Sequence, residues 1–190
     1  RSFYFEVSKT SKTQSNNYSI TYAGNITSST GRNILAFISA IEVYNSLNEA
    51  RISVNIYAPV IDVAMKDELL LKSFVNVNDG VDFDEIPDIY SKSDALLFIS
   101  NKGGTSMIPG KLYDYLGTDL PVICLMSDIT DAVSTFIKGF GEKCIMMENE
   151  FDKISVKLPQ IVTAMSKTFP VVEDYSPKVV AKRYMDLYVD

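Results

Sequence analysis

Histidine is absent from all 190 residues. That removes the side chain that most often acts as a general base near neutral pH, and the commonest transition-metal ligand. A Ser-His-Asp triad is excluded, and a zinc site is not expected. Cysteine is scarce: Cys124 and Cys144 are the only two, each inside an apolar run (PVICLM and KCIMM). Such runs read as buried strands, so reduced core thiols are expected rather than a disulfide. No apolar run approaches the roughly 20 residues needed to span a bilayer, and the N-terminus carries no charged-then-apolar signal pattern. Lys and Arg are too few and too dispersed to form a basic stripe. With 18 of them against 24 Asp and Glu, the net charge is -6 and the pI near 4.7. A partner bound through phosphate-backbone contacts is therefore not expected, and nucleic acid is excluded as a ligand.

What is present points to a single soluble domain. A chain of this length with 46% hydrophobic residues can bury a substantial core. Residues 8–17 (SKTSKTQSNN) are polar and aperiodic, and 1–17 are expected to form a linker or the remnant of an interdomain connection. The folded unit is expected over 18–190. The chain opens on Arg1 rather than Met, which reads as a piece of something longer.

From Tyr18 onward short β-rich runs alternate with helical stretches, the pattern of βαβ units around a parallel sheet. Strands are predicted near 18–23, 52–58, 74–78, 95–100, 121–126 and 143–147. Helices are predicted over about 32–48, 62–71, 85–92, 111–117, 131–138 and 151–167. A last amphipathic helix is predicted over 178–188, with Val179, Val180, Tyr184, Leu187 and Tyr188 as its stripe. Six strands alternating with helices predict an α/β doubly wound sheet with helices on both faces. Ligands bind such sheets at the carboxyl ends of the strands.

Two loops at those ends carry candidate chemistry. After the first strand comes Gly24-Asn25-Ile26-Thr27-Ser28-Ser29-Thr30-Gly31-Arg32-Asn33. A small-residue loop opening a helix can present backbone N–H groups to a phosphate, with Arg32 adding a fork of donors. A long capped loop is the plain alternative, and neither GxGxxG nor the P-loop pattern is present. After the fourth strand comes Ser100-Asn101-Lys102-Gly103-Gly104-Thr105-Ser106-Met107-Ile108-Pro109-Gly110-Lys111, followed by Leu112-Tyr113-Asp114. Lys111 and Asp114 lie three apart at the start of a helix and so share a face. They suit a diphosphate and a pair of ribose hydroxyls, or else form a simple surface ion pair. Asp82-Phe83-Asp84 matches an Asp-x-Asp metal motif, but Asp84 precedes Glu85 and a helix, so helix capping is expected there and no bound metal.

The arrangement SDALLFIS…SMIPGKLYDYLGTDLPVICL, with YSITYAGNI and GVDFDEIPDIYSKSDALLFIS before it, resembles the C-terminal domain of GT-B-fold glycosyltransferases. The similarity is to the broad group 1, family 4-like retaining enzymes that build bacterial polysaccharides and glycolipids. It covers Tyr18 to the C-terminus and implies a Rossmann-like domain that grips a nucleoside-diphosphate sugar. It implies Arg32 and Lys111 on the diphosphate as the catalytic cations, and Asp114 on the ribose. Gly24 and Asn25 would lie in the phosphate loop, with the backbone around Val81 at the base. Gly103, Gly104, Thr105 and Ser106 would face the sugar. It implies no cofactor and no metal, a missing N-terminal half that binds the acceptor, and no transfer by this chain alone. It further implies a cytoplasmic enzyme that touches a membrane only through the absent half. Ser106 stands where the family often has a Glu that contacts the sugar, and Gly117-Thr118-Asp119 departs from the usual pattern before Pro121-Val122. Two readings remain beside transfer: a nucleotide-sugar epimerase of the same fold, and a non-catalytic doubly wound binding module. A receiver domain would need an acidic cluster at early strand ends, and the first strand ends in Ala23-Gly24.

Overall fold

A computed structural model describes residues 16–103 and 106–186. Six parallel strands form one sheet in the order β3-β2-β1-β4-β5-β6. They are β1 (Asn17–Ala23), β2 (Arg51–Tyr57), β3 (Val75–Asn78), β4 (Ala95–Ile99), β5 (Val122–Met126) and β6 (Cys144–Glu148). Between and after them lie α1 (Leu35–Leu47), α2 (Val63–Leu70), α3 (Ile86–Ser91), α4 (Gly110–Leu116), α5 (Ala132–Lys138), α6 (Phe151–Met165) and α7 (Pro177–Asp186). The doubly wound sheet expected from the alternation is thus observed. The expected linker at 1–17 lies outside the described residues up to 15, and β1 takes in Asn17.

Side chains alternate across each strand, so a sheet covered on both sides needs apolar residues at every position of its central strands. β4 (ALLFI) and β5 (VICLM) are buried at every position. One face packs Leu97, Ile99, Ile123 and Leu125 with Phe37, Ile38 and Ile41 of α1, Met65 and Leu69 of α2, and Ile154, Leu158 and Ile161 of α6. The other packs Leu96, Phe98, Val122 and Cys124 with Tyr90 of α3, Leu112, Tyr115 and Leu116 of α4, and Val133 and Ile137 of α5. Cys124 and Cys144 are both buried and free.

Two local details differ from the sequence-based boundaries. The first helix starts at Leu35, not near residue 32, because the Asn33 side-chain oxygen accepts the Leu35 N–H at 2.8 Å and residues 28–30 form a separate 3-10 turn. Arg32 therefore lies ahead of the helix. The cap beside the Asp-x-Asp sequence is Asp82 rather than Asp84: the Asp82 N–H donates to Glu85 Oε2 at 3.0 Å, and Asp84 sits within the turn.

β1 and β4 adjoin although three helical crossovers separate them in sequence, and only Ile20↔Ala95 and Thr21↔Leu96 pair directly. Asp94 reinforces this seam: its carboxylate accepts the Ser19 N–H at 2.8 Å, while its own N–H donates to Ser19 O at 2.8 Å. The strand order reverses here, so the helices that follow β1 and β4 leave toward opposite faces and open a crevice at the carboxyl ends.

The chain after α6 returns along the opposite side of α4. Phe169 N–H donates to Asp119 O at 2.9 Å and Val172 N–H to Leu116 O at 3.0 Å. Tyr175 closes an aromatic cluster with Tyr113 and Phe136, at ring-centre distances of 5.2 and 5.7 Å. Lys143, 4% exposed, donates to the carbonyls of Leu116 (3.3 Å), Pro170 (2.8 Å) and Thr118, which links the end of α4 to this strap. Beyond the strap, α7 contributes no buried residue: Val179 and Val180 are half-buried, and Tyr184 is 57% exposed. Leu187 and Tyr188 lie outside the described residues.

Removing the Lys143 ammonium takes this donor from the Thr118 and Pro170 carbonyls and leaves Leu116 O with the Val172 N–H alone. Lys143→Met is expected to cost about 2–4 kcal/mol and to lower Tm by about 5–15 °C. A loss below about 1 kcal/mol in a thermal or urea melt would show that the backbone bonds and aromatic packing hold the strap without Lys143.

Candidate functional site

The crevice at the β1/β4 switch point is built from the two loops singled out in the sequence. Backbone and side-chain bonds stitch them together. Lys102 N–H donates to Thr30 O at 2.9 Å, and Arg32 Nε donates to Asn101 Oδ1 at 2.8 Å. Gly31 makes this approach possible. It takes a left-handed φ of 68°, and a β-carbon there would lie 2.2 Å from Lys102 Cβ. Behind the second loop, the Ser100 hydroxyl accepts the Ser127 N–H at 2.7 Å, anchoring the end of β4 to the end of β5.

Two cations meet in this crevice. Lys111, in the first turn of α4, turns its side chain inward: Nζ donates to Ala23 O at 2.9 Å and lies 4.9 Å from the centre of the Tyr22 ring. The ammonium is thus turned into the crevice. Gly24 leaves room for it, because a β-carbon at that position would come within 2.5 Å of Nζ. Arg32 approaches from the β1–α1 loop, where Nη1 donates to Asn25 O at 3.4 Å in addition to the Asn101 bond. Both cations are thus held by neutral oxygens. Burial pushes the Lys111 pKa down to about 8, and the nearby Arg32 charge pushes the same way. The ammonium remains mostly protonated at pH 7.

Beside the cations lies a cavity of about 280 Å³ lined by Ala23, Gly24, Tyr57, Pro59, Val81, Phe83, Ile86, Tyr90 and Asp114. Its walls are apolar and aromatic, and Asp114 is the carboxylate among its lining residues. Gly80 sets one wall, since a β-carbon there would meet Pro59 Cγ at 2.7 Å. The structure therefore gathers Gly24, Val81 and Asp114 around one cavity, with Lys111 and Arg32 at its edge. Asn25 contributes its backbone carbonyl, while its side chain is exposed. Gly103 and Ser106 are exposed on the loop before α4, and Gly104 and Thr105 lie outside the described residues. A larger cavity of about 610 Å³, lined among others by Tyr18, Glu42, Arg51 and Lys72, lies at the opposite end of β1 and β2, away from the loops.

Sequence reading missed Tyr22, Asn101 and the aromatic walls Tyr57, Phe83 and Tyr90. Tyr22 and Tyr57 look like ordinary strand aromatics. Only the parallel register of the sheet brings their ends beside α4 and the β3–α3 loop. Among the described residues, no group of His, Cys, Asp and Glu side chains is arranged to hold a metal ion.

No protein-family model matches this sequence, and no curated protein matches it either. Solved structures do match. The C-terminal domain of a glycosyl transferase group 1 family protein from Francisella tularensis superposes with a TM-score of 0.59 at 19% identity, over 88% of this chain and 86% of that one. A pneumococcal O-GlcNAc transferase in complex with UDP and GlcNAc gives a TM-score of 0.62 at 14% identity, over 98% of this chain but 38% of that one. The UDP-GlcNAc 2-epimerase from Methanocaldococcus jannaschii gives 0.58 at 10% identity, over 93% and 46%. The fold is therefore the Rossmann-like C-terminal domain of the GT-B architecture. The chain spans less than half the length of those two longer proteins.

Gly24 offers a direct check on the cation geometry. Gly24→Ala places a methyl where the ammonium sits, and its φ of 143° disfavours a side chain besides. Loss of the Lys111–Ala23 contact is expected, with Lys111 titrating closer to an ordinary lysine by NMR. A titration unchanged from the parent would refute this placement of Nζ.

Proposed function

We propose that this domain binds the donor of a glycosyltransferase, holding a nucleoside-diphosphate sugar at the β1/β4 switch point. The observation that carries the reading is that Lys111 and Arg32 bond the carbonyls on either side of Gly24, which lines a cavity together with Val81 and Asp114. Two cations held by neutral oxygens at the carboxyl ends of parallel strands suit a diphosphate. An apolar, aromatic cavity with one carboxylate suits a nucleoside, the carboxylate accepting the ribose hydroxyls and the loop backbone at Val81 meeting the base. The likeness to a structure solved with UDP and GlcNAc supports the same reading.

Catalysis by the whole enzyme would then rest on positioning and electrostatics. As the anomeric carbon–oxygen bond breaks, its electron pair collapses onto the departing phosphate oxygen. Arg32 and Lys111 meet that charge with no metal ion. The loop that carries Gly103 and Ser106 would face the sugar, and a serine in place of a carboxylate would reduce what this loop offers its hydroxyls. An absent N-terminal half supplies the acceptor site and the other wall of the cleft. This chain alone therefore binds nucleotide and transfers nothing. The acceptor is a saccharide or lipid-linked glycan in polysaccharide or glycolipid synthesis. The site is cytoplasmic, and any membrane contact belongs to the missing half. No helix among the described residues is long and apolar enough to cross a membrane.

An epimerase is the second reading, favoured by the shared fold of the archaeal UDP-GlcNAc 2-epimerase. Sugar interconversion by the full-length protein without acceptor would select it over transfer.

Calorimetry of this chain against UDP, GDP, ADP and CMP tests the donor site. One diphosphate is expected to bind, and Lys111→Ala or Arg32→Ala to weaken it about 10- to 100-fold. Equal affinity in both variants would overturn the reading.

The Lys111 pKa predicts a pH dependence for the same ligand. A bound diphosphate raises that pKa, so below about 8 the ammonium is already charged, and above it binding must take up a proton. Affinity should be level from pH 7 to about 8, then fall by up to about tenfold per unit. Lys111→Arg should stay level throughout, because a guanidinium keeps its charge. A parent profile that is flat to pH 10 would show that Lys111 does not meet the ligand.

A further inference from the structure

Tyr22 is fully buried near the end of β1, yet both parts of its side chain engage the charged pair. Its ring lies 4.9 Å beneath Lys111 Nζ. Its hydroxyl donates to Asn25 O at 2.8 Å, and the same carbonyl accepts Arg32 Nη1 at 3.4 Å. We propose that Tyr22 is a positioning residue that seats the Lys111 ammonium on its ring face and, through the Asn25 carbonyl, ties the Arg32 loop into the same frame. This assignment rests on the donor-site reading above and extends it to how two like charges are kept side by side before any anion arrives.

The physical case follows from what each group would do unaided. Lys111 carries its charge on a flexible four-carbon stem, and the Arg32 charge repels it, so water outside the crevice is the default place for the ammonium. The negative face of an aromatic ring counters that tendency where the site is poor in water. The Ala23 carbonyl fixes the direction of one N–H, and Gly24 leaves the space open. The Tyr22 hydroxyl also fixes the chain at Asn25, the first turn of a loop that must bring Arg32 back toward the same point. A leucine or phenylalanine core residue could fill the volume but could not perform both tasks.

The groups around Lys111 are few. Arg32 faces it from the β1–α1 loop and Tyr22 from β1, while Asp114 lies one turn along its own helix. Behind Tyr22 stand the phenols of Tyr90 and Tyr115, which burial keeps neutral, as it does Tyr22 itself. Of these, Arg32 is the cation and Asp114 the carboxylate, so removing the ring face has a defined sign. The ammonium loses a stabilising contact while the Arg32 repulsion remains, and its titration must move down.

The test uses this chain carrying ¹³C-labelled lysine, with the Lys111 signal assigned through Lys111→Arg and titrated without ligand. In Tyr22→Leu the Lys111 midpoint is expected to fall by about one pH unit below the parent's. Tyr22→Phe keeps the ring and should hold the midpoint within a few tenths. It loses the Asn25 anchor, and inorganic pyrophosphate, as a probe of the charge pair alone, should bind about 3- to 10-fold more weakly. A midpoint in Tyr22→Leu that stays put or rises would overturn the seat. Unchanged pyrophosphate affinity in Tyr22→Phe would overturn the tie to Arg32, and that measurement stands even where Tyr22→Leu fails to fold. If the midpoint moves as expected while the parent chain binds no pyrophosphate, the seat is upheld and the donor-site reading falls.

Discussion

The repulsion between Arg32 and Lys111 organises this end of the molecule. Two cations converge on one crevice with neutral partners, Asn101 Oδ1 and the Asn25 carbonyl for one, the Ala23 carbonyl and the Tyr22 ring for the other. Burial first, and the Arg32 charge after it, disfavour the Lys111 ammonium and lower its pKa to about 8. On the donor-site reading an entering anion would offset that cost, the general logic of a preorganised electrostatic site. The surrounding glycines follow from it. Gly24 yields space to the ammonium, and Gly31 lets the two loops touch so that Arg32 can reach across.

Such an arrangement needs a stiff frame, and the sheet supplies one. β4 and β5 are buried at every position, so any shift in register would expose or misplace an apolar side chain. Asp94 locks β1 against β4 at the seam where backbone pairing is shortest, one strand length from the cations. On the far side of α4, Lys143 and the aromatic cluster around Tyr175 hold the returning strap against the end of the helix that carries Lys111. The position of that lysine is thus set from both ends of α4. Past the strap, α7 leaves its apolar residues Tyr184 and Met185 exposed.

Most of the architecture was legible because period and punctuation agree. Short β-rich runs separated by helical stretches, two of them apolar at every position, leave a parallel sheet as the natural solution, and each predicted element is present within a few residues. Boundaries slipped where a side chain intervened in the backbone: Asn33 captures the Leu35 N–H and delays α1, which is invisible to apolar periodicity. The same slip frees Arg32 from the helix and lets it point into the crevice. Lys111, Asp114, Val81 and Gly24 could be singled out because loops at strand ends are where chemistry collects. Tyr22 could not, since inside a strand it is indistinguishable from a core aromatic. Its role depends on a helix that starts 88 residues later, and nothing local encodes that meeting.

On the donor-site reading, the division of labour between the two halves of such an enzyme would follow from what this chain lacks. With no histidine in the chain, what Lys111 and Arg32 can offer the crevice is charge and orientation. On the proposed reading, a half so equipped would bind a nucleoside diphosphate and stabilise its departure, steps that transfer to an acceptor and epimerisation of the sugar both require. It cannot by itself choose between them, because the choice turns on which group delivers or removes a proton, or which hydroxyl attacks, on the opposite wall of the cleft. The same fold in a transferase and an epimerase is then what the physics leads one to expect. The grip on the leaving group is common to both, and the identity of the reaction lies with whatever the grip holds the sugar against.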